Sequence, residues 1–351
     1  TPVLWDDMLT RGGNPDLIKA LPEKTTLMYW DYRSKETAAS QFLVEGSRIS
    51  KQWFDPVREP GDFVNAPHGF SAFWEELPKK IRKVYQPYFH DKAFPVKGST
   101  LPYIELIKER GYEVIGASSL RCGVDRILPG TGNYLSNIQH WALRAKAAKI
   151  KGVITTSWAA ASTFGPPSCA MSLCDHLLAA SGEWYWNASC SKKEFQKDYD
   201  LLTFGVKDAG FSKLIDVMDR TDHEAYCNWV DAVVQLLKTL LTEVSPTGAA
   251  LFNKYLTAAD VIRFERTLRS RLRKIEDRFF PGSPVMAQDI MRSSARDNLK
   301  ALRSDLMVVK AAYARVFRND FSKATLREAV GAAFAVHEAR LDTADALLTN
   351  P

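Results

Sequence analysis

Four short apolar runs in this chain each break into Trp, Asp, Tyr or Ser at their carboxyl end, and this repetition constrains the fold more than any single residue. They are Pro2-Val-Leu-Trp-Asp-Asp-Met8, Thr25-Thr-Leu-Met-Tyr-Trp-Asp-Tyr32, Tyr112-Glu-Val-Ile-Gly-Ala-Ser-Ser119 and Gly152-Val-Ile-Thr-Thr-Ser-Trp158. A run too short for a helix and apolar on both faces reads as a buried parallel strand. Barrel and open α/β enzymes keep their chemistry at the carboxyl ends of such strands.

The segments between the runs have helical spacing. Asn14 to Leu21 opens with an Asn cap and Pro15 at the first helical position, and stops before Pro22. Leu101 to Arg110 ends at Gly111, and Asn133 to Ile150 places Leu135, Ile138, Leu143 and Ala147 on one face before Gly152. Strand–helix alternation supplies the crossovers that a parallel sheet requires, so the expected architecture is α/β with four strand–helix units.

The second unit carries an insertion over residues 47–99, rich in Pro and aromatics, in which Ser71 to Tyr85 reads as an amphipathic helix. Such a long insertion either walls a pocket at the carboxyl face or packs on itself. From about Ser191 the strands cease. Apolar residues then recur at helical spacing in three sets, Ile262 to Phe279, Leu299 to Val316 and Leu326 to Leu347, broken at Pro281-Gly-Ser-Pro284 and Asn319-Asp320. The expected domains are therefore 1–190, with the insertion, and a helical bundle over 191–351.

Composition excludes several classes of function. The net charge of +6 comes from 47 basic and 41 acidic residues that are interspersed, and the arginine cluster from Arg263 to Arg278 is broken by Glu265, Glu276 and Asp277. That pattern is a solvated helix face, and no nucleic-acid partner is expected. No apolar run reaches membrane-spanning length and no signal peptide is visible, so no membrane partner is expected either. The five cysteines form no CxxC pair, which argues against a disulfide framework and for a reducing, intracellular setting, cytoplasmic or lysosomal.

The six histidines have no ligand spacing, so no metal site is expected, and His140 reads as structural. No GxSxG, phosphate-cradling loop or dinucleotide fingerprint occurs, and no cofactor is expected. Asn187-Ala-Ser189 would accept a glycan if the protein met the secretory pathway. Thr1 in place of a methionine leads to the expectation of a processed or trimmed chain.

Alternation along a strand puts Trp5 with Asp7 and Asp6 on the other face, Trp30 with Met28 and Tyr32, and Trp158 with Thr156 and Ile154. If those faces share one hollow, three indoles meet at its mouth. A sugar ring and an acetamido methyl are flat apolar patches edged by polar groups, so an aromatic cage with carboxylates suits them. The competing reading for Trp5, Trp30 and Trp158 is packing inside a barrel, and for Asp6 and Asp7 it is capping of the following turn. Asp31 is expected to pair with an arginine such as Arg33 or Arg121.

Taken together, Val3-Leu-Trp-Asp-Asp-Met-Leu9, Met28-Tyr-Trp-Asp-Tyr32, Gly116-Ala-Ser-Ser119, the Asn137 to Trp141 helix and Gly152-Val-Ile-Thr-Thr-Ser-Trp158 resemble strands five to eight of the glycoside hydrolase family 20 barrel. The nearest branch is the hexosaminidase D-like β-N-acetylhexosaminidases, and the resemblance covers about residues 1 to 180. It implies half of a (β/α)8 TIM-type barrel followed by an α-helical domain.

The implied activity is removal of terminal β-linked N-acetylhexosamine from a glycan. An acid carboxyl protonates the glycosidic oxygen and the substrate's own acetamido oxygen attacks the anomeric carbon. Trp5, Trp30 and Trp158 match the family's acetamido-pocket tryptophans, with Asp7 and Tyr32 beside them as substrate-binding residues.

The family's Asp–Glu pair, which orients the acetamido group and supplies the acid, stands at the end of strand four and has no counterpart here. The catalytic residues are thus unassigned in this chain and are expected in a preceding segment or a second polypeptide. The family's strand-seven tyrosine is not in Gly116 to Ser119, a role Tyr32 is placed to take, and Ala159-Ala-Ala161 stands where sugar-contacting residues are expected. Four units also leave a barrel's edges open, so the alternatives are completion by a missing half or a small open sheet covered by helices. A catalytically inactive glycan-binding or scaffolding relative is the second functional expectation.

Overall fold

The computed structural model describes residues 1–6, 9, 15–32, 42–44, 47–49, 79–80, 83, 103–121, 127–158, 170–218, 226–279, 288–320 and 322–349. Each of the four apolar runs contains a strand: β1 (Val3–Trp5), β2 (Thr26–Trp30), and two more after a short antiparallel hairpin of β3 (Phe42–Val44) and β4 (Ser47–Ile49). These two are β5 (Glu113–Arg121) and β6 (Gly152–Ser157). The sheet order is β1-β2-β5-β6, and the strands are parallel. The register sets Trp5 opposite Met28, Met28 opposite Ile115, and Trp30 opposite Ala117.

Helices occupy the segments between strands. A 3-10 helix (Pro15–Ala20) precedes β2, α1 (Tyr103–Glu109) precedes β5, and α2 (Thr131–Ala148) connects β5 to β6. After β6 come a 3-10 turn (Met171–Cys174), α3 (Asp175–Trp186), α4 (Lys192–Phe204), α5 (Phe211–Met218), α6 (Tyr226–Leu240), α7 (Pro246–Phe279), α8 (Gln288–Val316) and α9 (Lys323–Thr349). The chain is thus α/β, with a four-stranded parallel sheet and a mostly helical carboxy-terminal region.

The described residues form two compact units. The first holds residues 1–120, 133–156 and 177–191; the second holds 121–132, 157–176 and 192–351. In the first, one face of the sheet is sealed by helices. Leu27, Tyr29 and Val114 pack with Ile104, Ile107 and Trp141 in one buried cluster. Tyr29 meets Tyr103 and Trp141 edge-on, at ring-centroid distances of 5.4 and 5.3 Å. Burial of each such side chain contributes about 1.5–3 kcal/mol. The other face carries Trp5, Met28, Trp30 and Ile115, all in part open to solvent.

The second unit is built on an aromatic core. Phe204 stacks on Phe252 at 4.5 Å, and Phe211 meets Tyr199, Phe204 and Tyr255. α4 and α7 approach so closely that a Cβ on Gly248 would lie 2.5 Å from Phe204 Cδ1. Helix starts follow local chemistry: the Gly248 N–H donates to Ser245 Oγ ahead of α7, and the Thr325 N–H to Ser322 Oγ ahead of α9.

The periodic residues behave as expected, with Leu268, Leu272, Leu302, Leu306, Phe334 and Leu341 all buried. Arg263 and Arg266 pair with Asp231, while Arg273 is mostly exposed beside Asp277. Of the amphipathic helix expected over Ser71 to Tyr85, only residues 79, 80 and 83 are described, all helical; the bulk of the 47–99 insertion, Asn14, Arg33, Asp7, Ala159 to Ala161 and Pro281 to Pro284 lie outside the described residues.

Candidate functional site

The end of β2 is where the first unit concentrates polar and aromatic groups. β1 stops at Trp5 and is followed by Asp6, which is fully buried. The Asp6 N–H continues the ladder to the Met28 carbonyl at 3.0 Å, and its carbonyl accepts the Leu9 N–H at 2.9 Å, closing a turn. Its carboxylate reaches across the strands, where Oδ1 accepts the Trp30 N–H at 3.3 Å. Among the described residues this turn is closed by the Asp6 main-chain carbonyl, and the side-chain bond from Asp6 to Trp30 had no sequence signal.

Two further bonds hold the next residue. The Asp31 N–H donates to the Ala117 carbonyl at 3.2 Å, and the Asp31 carbonyl accepts the indole N–H of Trp141 at 2.8 Å. Three hydrogen bonds therefore fix the backbone from Trp30 to Asp31. On that fixed backbone the Trp30 and Tyr32 rings stack, with centroids 4.9 Å apart and planes 30° apart. Trp5 stands opposite Met28 on the same face of the sheet as Trp30, with 36% of its surface exposed. The rings are turned away from the face that α1 and α2 seal.

Trp158 belongs to the second unit. Its N–H donates to the Arg121 carbonyl at 3.1 Å, one residue past β6, and its side chain is 45% exposed. Beside it, Arg121 Nε donates to Ser157 Oγ at 2.7 Å. Asp7, the remaining substrate-binding candidate, lies outside the described residues.

The serines of Gly116 to Ser119 serve the sheet. Ser118 is buried with Oγ 2.5 Å from the Tyr185 hydroxyl of α3, and Thr156 Oγ1 donates to the Ser118 carbonyl at 2.7 Å. Burial pushes the Tyr185 phenol above its ordinary range, so it stays neutral. His140, on α2, is buried, and desolvation followed by the Arg144 charge brings it down to about 4. A neutral imidazole inside a helix-packed core fits the structural role expected of it.

Sequence reasoning passed over Tyr185, and it took Trp141 only as part of a helix motif. Trp141 follows Ile138 by three positions on α2, which marks it as core, but nothing in the spacing indicates that its N–H seeks a strand-end carbonyl. Among the described residues, no group of three His, Cys, Asp or Glu side chains is placed to hold a metal, and no helix is long and apolar enough to cross a membrane. The fixed ring pair can offer a flat apolar surface to a ligand, with half-exposed Trp5 on the same face.

No family model matches the chain, and no curated protein matches it.

Proposed function

We propose that this chain forms the carboxy-terminal half of a (β/α)8 barrel, strands five to eight, and binds the N-acetylhexosamine end of a glycan. The observation that carries this reading is the Trp30–Tyr32 stack on a backbone held by Asp6, Ala117 and Trp141, on the same face as Trp5. A pyranose with an N-acetyl group gains most from rings that do not have to be ordered on binding.

Strand order supports the barrel half. The parallel strands follow one another as β1-β2-β5-β6, as consecutive barrel strands do, whereas a doubly wound sheet reverses direction at a switch point. The first of them is also apolar and open, with Val3 47% and Leu4 40% exposed. That edge suits a further strand from another segment or polypeptide.

With that half supplying the acid and orienting carboxylates, the assembly would remove terminal β-linked N-acetylhexosamine by substrate-assisted attack, a reaction that needs no cofactor. The role of Trp5, Trp30 and Tyr32 is to pack against the acetamido group. A second reading is a glycan-binding relative without catalysis: the strand-end carboxylate of Asp6 is buried on the Trp30 N–H and supplies no acid, so turnover rests wholly on the other half.

Titration with an N-acetylglucosamine-thiazoline, followed by tryptophan fluorescence, tests the pocket, and a chromogenic N-acetylglucosaminide tests turnover. Saturable thiazoline binding that is lost in Trp30→Ala and in Trp5→Ala, with circular dichroism unchanged, is the expected result. Turnover with a co-purifying polypeptide identifies the enzyme; binding without turnover identifies the second reading. A wild-type protein that does not bind the thiazoline overturns both.

A further inference from the structure

A second aromatic site lies at the opposite end of the sheet. Where α2 ends, β6 begins and α3 ends, the first unit encloses an open groove of about 380 Å3. This is within the size range of small-ligand sites. Its floor is low because Ala145 and Gly152 contribute little side chain, and a Cβ built on Gly152 meets nothing within 4 Å. The Tyr185 ring also lines it, with its hydroxyl tied inward to Ser118 at 2.5 Å. The ring therefore cannot turn away.

The walls differ from the floor. Trp186 is 93% exposed, the most open large apolar side chain among the described residues, although an indole left in water forgoes the burial that usually justifies one. Lys146 lines the groove as well, and its ammonium meets a hydroxyl, Ser189 Oγ at 3.3 Å, in place of a carboxylate. It is the only charged residue lining the groove among the described residues. Asn187 completes the rim, its amide bonded to Glu183 Oε1 at 3.3 Å, so that nearby carboxylate is already engaged.

We infer that this groove binds a pyranose carrying a carboxylate, as found in acidic glycans, with the sugar's apolar face on Trp186 and its carboxylate on Lys146. An open groove favours a ring whose hydroxyls stay hydrated over an arene, which gains most from enclosure. One exposed indole offers a stacking platform, and one ammonium with only a hydroxyl partner selects a single negative charge. The site lies at the amino end of β6, away from the carboxyl end of β2, and does not rest on the reading of the Trp30–Tyr32 pair.

Saturation-transfer NMR with methyl β-glucuronoside, methyl β-glucoside and benzoate provides the test. Wild-type protein is expected to saturate the glucuronoside, and to bind it about fivefold more tightly than the neutral glucoside, the ratio that one exposed ion pair supplies. Trp186→Ala abolishes the signal, and Lys146→Met brings the glucuronoside down to the level of the glucoside and removes its salt dependence. Both side chains lie on the surface, and circular dichroism checks each fold. Gly152→Leu fills the open space and blocks the groove without touching either wall.

Trp30→Ala should leave glucuronoside binding unchanged, which separates this site from the one at the strand ends. A signal that survives both Trp186→Ala and Gly152→Leu overturns the site. Equal affinity for glucoside and glucuronoside overturns the role of Lys146, and benzoate binding as tightly as the glucuronoside overturns the assignment to a sugar.

Discussion

The indole N–H of Trp141 donates to the main-chain carbonyl of Asp31 at 2.8 Å, so a residue in the middle of α2 fixes the end of β2. The bond leaves Trp30 and Tyr32 on either side of an immobilised peptide, which is how a helix on one face of the sheet sets the geometry of rings on the other. Trp141→Phe keeps most of the buried ring and removes only the donor. It should cost about 1–3 kcal/mol, the penalty for a polar group that loses its partner, read as a lower urea midpoint. Thiazoline affinity should fall in the same variant although Trp141 does not touch the ligand. An unchanged midpoint would contradict the role assigned to the bond.

Gly116 on β5 faces the same indole. A Cβ built there would lie 2.5 Å from Trp141 Cε3 and Cζ3, closer than any real contact, and the indole is fully buried and cannot move aside. Gly116→Ala should therefore destabilise by about 1–3 kcal/mol, as overpacked cores do, even though alanine is the better strand former. Because both changes act on one ring, the Gly116→Ala, Trp141→Phe double variant should lose less than the sum of the two by at least about 0.5 kcal/mol. Strict additivity in denaturation experiments would refute the shared contact.

The strands were legible because each needed only a local pattern. Tyr29 and Val114 alternate with less buried neighbours on the strands the apolar runs predicted, and Leu268, Leu272 and Phe334 are buried where helical spacing put them. The aromatic pair was legible for the same reason, since Trp30 and Tyr32 sit two residues apart. The links that hold the pair were not. Asp6 to Trp30 spans 24 positions and Asp31 to Trp141 spans 110, and a carboxylate or an indole N–H carries no mark of the backbone group it will find. The β3–β4 hairpin escaped notice because β4, Ser-Arg-Ile, carries no apolar run to mark it.

Acid stability should depend on two buried groups in the second unit with opposite signs. His176 sits among the rings of Phe195, Tyr199 and Phe211; burial, and then the Lys192 charge, brings it from 6.5 down to about 3. Below about pH 6.5 the unfolded chain takes up a proton that the folded chain refuses, so stability falls as pH falls, by about 1.4 kcal/mol per pH unit.

Asp200 is pushed by burial from 3.8 up to about 6, against the backbone N–H of Ala209 that its carboxylate accepts at 2.8 Å. There the folded chain holds the extra proton, so the Asp200 contribution grows as pH falls from about 6 to 3.8 and offsets the loss at His176. Asp200→Asn removes the offset while keeping an acceptor. Between pH 6 and 4 the variant should lose up to about 1.4 kcal/mol per pH unit more than the wild type, read from urea midpoints. Parallel pH profiles for the two proteins would rule this out.

Asp6 offers the most direct separation of fold from site. Its carboxylate is buried against the Trp30 N–H, and its backbone closes the turn after β1 whatever the side chain. Asp6→Asn retains an oxygen at the same reach and should keep both the stacked ring pair and thiazoline binding. Asp6→Ala leaves the Trp30 N–H without its acceptor, at a cost of about 1–3 kcal/mol, and frees the strand end to shift. Near-ultraviolet circular dichroism should then show a weakened Trp30–Tyr32 signal in Asp6→Ala and a retained one in Asp6→Asn. If instead Asp6→Asn loses binding while the ring signal persists, the negative charge of Asp6 acts on the ligand directly, and its role as a structural clamp is wrong.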